Sequence, residues 1–204
     1  SLSKTFGETV GYLEDVKNKS EEINKMQNGL IYIMADLVES RDKSTGDHIR
    51  KTTAYVNLIL AKLKEKGEFK DILTEEYIYE VSNSSPLHDV GKIKVSDLIL
   101  NKPGRLDDEE FKKMQIHTIE GEKIIENAMK ISSTSDYLKE AKNIAAYHHE
   151  KWDGTGYPYG LKGEDIPLSA RIMAVSDVFD ALISARVYKP AMKFEDAMRI
   201  IKEG

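Results

Sequence analysis

The sequence predicts an all-α protein, and three observations carry that expectation. No run reads as a convincing β-strand. Apolar residues recur instead at three- and four-residue spacings over long stretches. The five prolines and thirteen glycines mostly fall between these stretches, where they punctuate helices.

The first stretch runs from Phe6 to Glu39. Val10, Leu13, Val16, Ile23, Met26, Leu30, Ile33 and Leu37 mark one amphipathic helix, or two with a break near Asn18 to Ser20. Its apolar stripe could pack on the rest of the chain or form a homodimer. Ile49, Val56, Ile59, Leu60 and Leu63 mark a helix from His48 to Lys64 that ends before Gly67. Thr74 suits the cap of a third helix running toward Val81. Pro86 interrupts or restarts the helix before His88-Asp89, and Asn101-Lys102-Pro103-Gly104 reads as a turn. Asp107 and Glu110 have capping-box spacing and open a helix toward His117, continued or restarted at Gly121. A further helix is expected from Tyr137 to His149. The segment from Asp153 to Gly163 is too rich in Gly, Pro and Tyr to be helical. Pro167 suits the first turn of a helix carrying Asp177 and Asp180, and a last helix begins at Phe194.

Composition narrows the class. Of 204 residues, 40% are apolar and 32% charged, the balance of a folded globular chain. The net charge of -5 gives no general attraction to nucleic acid or anionic lipid, so a phosphate-binding surface must be local. The absence of cysteine excludes disulfides, iron–sulfur clusters and thiolate zinc sites, and is compatible with a cytoplasmic location. The most apolar stretch, Gly29 to Val38, is short and contains Asp36. No membrane contact is therefore expected from this segment, although a longer protein could be anchored upstream. The chain starts Ser-Leu-Ser and stops inside a charged helical pattern. It is expected to be a piece of a longer protein with a truncated C-terminus.

The chemistry lies in a set of residues rather than in any one of them. The five histidines are His48, His88, His117, His148 and His149, all outside the N-terminal helix. Asp89 stands in an apolar, Pro-containing context, and Asp177 stands in the apolar run Ile172 to Leu182. Buried carboxylates need cations or several hydrogen bonds. Two divalent cations would meet both needs, and imidazole with carboxylate suits iron, manganese, nickel or zinc. Such a pair also supplies what phosphodiester hydrolysis requires.

His88-Asp89, the run Pro86-Leu87-His88-Asp89-Val90-Gly91-Lys92, the His117 helix and His148-His149-Glu150-Lys151-Trp152-Asp153-Gly154-Thr155-Gly156-Tyr157-Pro158 occur in a telling order. Together with the stretch from Ile166 to Tyr188, they closely resemble the HD-GYP family of HD phosphohydrolases. The resemblance divides the chain into residues 1–41, a helical extension or connector, and 42–204, the phosphohydrolase domain. It implies an HD-domain helical bundle that hydrolyses the bacterial second messenger cyclic di-GMP, with iron or manganese the favoured metals. By position it implies that His48, His88, Asp89 and Asp177 hold a first metal, that His117, His148 and His149 hold a second, and that Asp89 bridges them. Lys92 and Asp180 match positions that orient water and phosphate. Tyr157, Pro158, Arg186 and Lys189 match substrate-side positions, and the Gly-Tyr-Pro loop could also dock a diguanylate cyclase-type domain.

One position departs from the pattern. Ser44 stands where many family members carry a glutamate associated with a third metal, and the neighbouring Asp47 is expected to point elsewhere. Two metals are therefore expected, with pGpG the safer product and GMP an open question. The competing readings are a cyclic dinucleotide-binding module without turnover, the same chemistry on another cyclic dinucleotide such as 3′,3′-cyclic GMP-AMP, and an HD enzyme acting on nucleotides or alarmones.

Overall fold

Eight α-helices build the described parts of the chain, in the order α1 Leu2–Glu39, α2 His48–Lys66, α3 Glu75–Ser84, α4 Asp97–Leu100, α5 Asp108–Ile131, α6 Asp136–Tyr147, α7 Leu168–Ile183 and α8 Phe194–Glu203. The computed structural model describes residues 2–42, 47–131, 136–184 and 191–203, and no strand occurs among them. Three short 3-10 segments, Ser85–Leu87, Val90–Lys94 and Gly163–Asp165, complete the set.

Local chemistry explains where the helices start and stop. The Thr74 hydroxyl accepts the Tyr77 N–H at 3.1 Å, and Glu75 and Glu76 place negative charge on the exposed amides of the first turn of α3. Asp107 Oδ1 accepts the Glu110 N–H at 2.9 Å while Glu110 Oε2 accepts the Asp107 N–H at 2.8 Å, a reciprocal capping box that opens α5. Gly67, at φ 70°, closes α2 in the left-handed region where glycine meets no Cβ penalty.

Two open alternatives are resolved and two expectations are revised. α1 is continuous through Asn18–Ser20, because none of these residues breaks a helix when exposed. α5 is continuous through Gly121. α6 stops at Tyr147, so His148 and His149 lie in the turn beyond it. Pro167 adopts an extended ψ of 141° and precedes α7 rather than sitting in its first turn.

Two apolar clusters hold these elements. Val56 and Leu60 of α2, Val81 of α3, Ile144 of α6 and Ile172 and Met173 of α7 form the larger one. Leu60 and Ile144 are fully buried, each stabilising the fold by about 1.5–3 kcal/mol. Leu87, Val90, Ile125, Ala141 and Ala145 form the second, and Ile31 of α1 packs on it. The segment Val90–Lys94 lies so close to α5 that a Cβ on Gly91 would fall 1.8 Å from the His117 carbonyl oxygen.

The end of α1 grips that same segment. Arg41 donates from Nη1 to the Lys92 carbonyl at 3.1 Å and from Nη2 to the Val95 carbonyl at 3.0 Å, and pairs with Asp97 at 2.7 Å. Asn101 Nδ2 donates to the Arg41 carbonyl at 2.8 Å.

A two-part histidine and carboxylate centre

Five stretches far apart in sequence deliver the polar groups. His48 opens α2, and His88, Asp89 and Lys92 come from the two 3-10 segments and their junction. His117 lies on α5, His148 and His149 follow α6, and Asp177 and Asp180 lie on α7. The ligand atoms of His48, His88 and Asp89 lie within 4.8 Å of one another, and so do those of Asp89, His117, His148 and His149. Asp89 belongs to both groups. Asp177 joins the first, with Oδ1 3.4 Å from His48 Nε2. The seven residues read from the sequence as metal ligands are thus brought to one place.

The rings are held from behind. His48 Nδ1 faces Asp180 Oδ2 at 2.7 Å. His88 Nδ1 faces the Ser85 carbonyl at 3.0 Å, His117 Nδ1 the Met114 carbonyl at 2.7 Å, and His148 Nδ1 the Ile144 carbonyl at 2.9 Å. A carbonyl only accepts, so each of these three rings carries a proton on Nδ1. The Nε2 lone pairs then point inward, with His48 and His88 3.3 Å apart and His117 and His148 3.5 Å apart.

Two lone pairs facing at that distance repel unless something positive stands between them. The Asp89 Oδ1 atom is buried and has no hydrogen-bond partner, although His117 Nε2 is 3.4 Å away. These features, with an oxygen and imidazole donor set, fit divalent cations.

The electrostatics agree at His117, His148 and His149. Burial holds His148 well below the ordinary histidine range, with the positive forms of neighbouring rings adding to the effect. Burial also lowers His149, to about 4, and lowers His117. These rings stay neutral near pH 7, as ligation requires. For His88, burial is outweighed by the charge and hydrogen bond of Asp89, and its pKa rises. For Asp89, burial is outweighed by Lys92 and His88, and the carboxyl stays ionised. Lys92 Nζ is 2.7 Å from Asp89 Oδ2 and 3.3 Å from Asp42 Oδ2; burial opposes its charge, but these carboxylates prevail and raise its pKa.

The remaining residues read from the sequence are distributed as follows. Asp180 is buried and turned toward His48 and the Ser184 hydroxyl, which donates to it at 2.9 Å. The Tyr157 ring lies 4.8 Å from that of His149 and edge-on to Phe111 at 6.0 Å. Burial raises its pKa, as do the charges of Asp89 and Asp177, so the phenol keeps its proton. Pro158 follows through a cis peptide bond and is partly buried. Asp47 is exposed at the start of α2. Ser44, Arg186 and Lys189 lie outside the described residues.

Sequence reasoning missed two contributors. Glu150 is 4% exposed and accepts the N–H groups of Tyr159 and Gly160 on Oε1 and of Leu161 on Oε2, at 2.8, 3.1 and 3.0 Å. That one carboxylate folds the Gly-Tyr-Pro loop back on itself. Arg171 lies over the rings of Trp152 and Phe69 at 5.7 and 5.8 Å and holds the loop's other end. A glutamate next to two metal-type histidines was a visible signal for the first. Nothing marked the second.

Among the described residues no helix is long and apolar enough to cross a membrane. The model of the HD domain family matches residues 32–204. The chain is 46% identical over 195 residues to a probable cyclic di-GMP phosphodiesterase of Vibrio cholerae, covering 95% of this chain and 44% of that protein. It is 41% identical over 189 residues to a 3′3′-cGAMP-specific phosphodiesterase 2 of the same organism, covering 93% and 32%. It is 40% identical over 173 residues to a cyclic di-GMP phosphodiesterase of Thermotoga maritima, covering 85% and 44%. The chain therefore spans less than half the length of these relatives. The chain belongs to the HD domain family, in the HD-GYP branch that its motifs resemble.

Proposed function

We propose that this domain binds two divalent transition-metal ions and hydrolyses cyclic di-GMP to linear pGpG. The observation that carries the proposal is Asp89, one carboxylate shared by two groups of histidines. The relatives named as cyclic di-GMP phosphodiesterases support the substrate. His48, His88, Asp89 and Asp177 would hold one ion, and Asp89, His117, His148 and His149 the other. Iron or manganese is the favoured metal, with nickel and zinc admitted by the same donors.

When bound, the ions would acidify water and offset the phosphate charge. In the reaction a water oxygen bonds to phosphorus, the P–O3′ bond breaks, and the leaving 3′ oxygen takes a proton. Lys92, kept positive by Asp89 and Asp42, would stabilise the added negative charge on the phosphoryl oxygens. Asp180 holds His48 in the tautomer that presents Nε2. Tyr157 is a neutral donor and Pro158 an apolar wall on the substrate side, and Arg186 and Lys189 would contact phosphate or guanine. The same loop is the natural surface for a diguanylate cyclase-type partner. A cytoplasmic location follows from the substrate, and residues 1–41 would connect the domain, 42–204, to a segment upstream.

The relative specific for 3′3′-cGAMP favours a second reading, in which that dinucleotide is the better substrate. A product-resolved hydrolysis assay, with metal analysis on the same anaerobic preparation, tests both. Two ions per chain with pGpG appearing first is expected. Binding without turnover, or faster turnover of dGTP or (p)ppGpp, would overturn the proposal.

A further inference from the structure

The long helix α1 has two faces with different fates. Ile31, Ala35 and Val38 pack on the domain, and Asn28 donates to the Tyr79 hydroxyl at 3.3 Å. On the opposite side, Val16, Ile23, Leu30 and Leu37 are all exposed, the last at 64%. They recur at intervals of seven. Met26 and Ile33, also exposed, follow Ile23 and Leu30 by three residues. A strict seven-residue repeat does not match a straight helix of 3.6 residues per turn. It is satisfied by a left-handed supercoil against a helix with the same repeat.

We infer that α1 forms a parallel, two-stranded coiled coil with α1 of a second copy of this chain, with its seam along Val16, Ile23, Leu30 and Leu37. A second copy is the occupant because it carries the same repeat in the same phase. The residues preceding Val16, Ile23 and Leu37 are Asp15, Glu22 and Asp36, whereas those on the other flank are Ser20, Gln27 and Met34. In an antiparallel pair the acidic flanks would face each other and repel. In a parallel pair each acidic flank meets the uncharged one. Lys19 occupies the seam position after Val16. A two-stranded coil leaves that position open enough for its ammonium to reach water, while larger bundles enclose it. The domain packs on the face away from the seam and does not obstruct it.

The chain has no cysteine, so one introduced thiol reports geometry cleanly. Under mild oxidation, Ile23→Cys is expected to cross-link to its own copy, while Glu14→Cys, on the outer face, is not. Light scattering at micromolar concentration is expected to give twice the mass of one chain. The double variant Ile23→Lys, Leu30→Lys should give a single-chain mass with the thermal transition of the domain intact. A monomeric parent chain, a trimer, a dimer that survives the double variant, or a dimer without the residue 23 cross-link would each overturn the inference.

Discussion

Asp180 stands 2.7 Å from Nδ1 of His48, on the side away from the 3.3 Å approach of His48 Nε2 to His88 Nε2. The carboxylate therefore acts through the ring rather than beside it. Replacing Asp180 by Ala frees the ring to rotate or change tautomer. Metal affinity should fall about 10- to 100-fold, measured by calorimetric titration, and Asp180→Asn, which still offers an acceptor, should lose less.

Lys92 is partly buried between Asp89 and Asp42. Lys92→Met keeps the stem and removes the charge. With metal content matched, kcat on cyclic di-GMP should drop about 100-fold while KM moves little, the pattern of a group that acts mainly in the transition state.

Gly91 faces α5 with no room for a side chain. A methyl group there would meet the His117 carbonyl and the Gly121 amide, at 1.8 and 2.5 Å. Both are backbone atoms and cannot swing aside. Gly91→Ala should destabilise the domain by at least about 3 kcal/mol in urea unfolding. A stability within about 1 kcal/mol of the parent, the scatter of such measurements, would count against the packing described.

Glu150 has three backbone donors on two oxygens. In Glu150→Gln one oxygen becomes an NH2 group facing an N–H, and a charged acceptor is lost. The expected cost is about 3 kcal/mol. Limited proteolysis should show faster cutting within residues 151–163 even where the helical signal is unchanged.

Tyr77 contributes to the alkaline limb of stability, alongside Tyr157 and Tyr159, whose pKa values are also raised. Burial is the main cause that raises the Tyr77 pKa, to about 12, with the Glu140 charge adding to it. The raised value belongs to the folded state. An unfolded tyrosine ionises near about 10, so the stabilisation is complete below that pH and is lost as pH rises toward about 12. Tyr77→Phe should flatten this limb in thermal melts between about pH 9 and 12, a window set by those two values. An unchanged slope would remove Tyr77 as a contributor.

The longer helices and the histidine set were legible because both rest on local signals, whereas the one-turn helix α4, Asp97–Leu100, was not foreseen. Apolar spacing marks helices, and five histidines with two apolar-embedded aspartates are few enough to read as a set. The 3-10 segments Ser85–Leu87 and Val90–Lys94 were not legible, since pieces this short carry no period. Nor was the partnership of Asp42 with Lys92, 50 residues apart. That ion pair depends on where α1 ends relative to Val90–Lys94, which only the packed domain decides. Asp180 was noticed for its charge, but its task at His48 depends on the angle between α7 and α2.

Arg41 binds two carbonyls of the segment next to Asp89 and Lys92, and Asn101 binds Arg41 in return. The end of α1 is therefore tied to the segment that carries Lys92. Residues 6–27 of α1, wherever described, are exposed, so the helix is a lever whose short end rests beside Asp89. At about 1.5 Å per residue, that exposed arm reaches roughly 33 Å. A swing of that arm would bear, through Arg41, on the segment next to Asp89, where distances of tenths of an ångström decide how a cation is held.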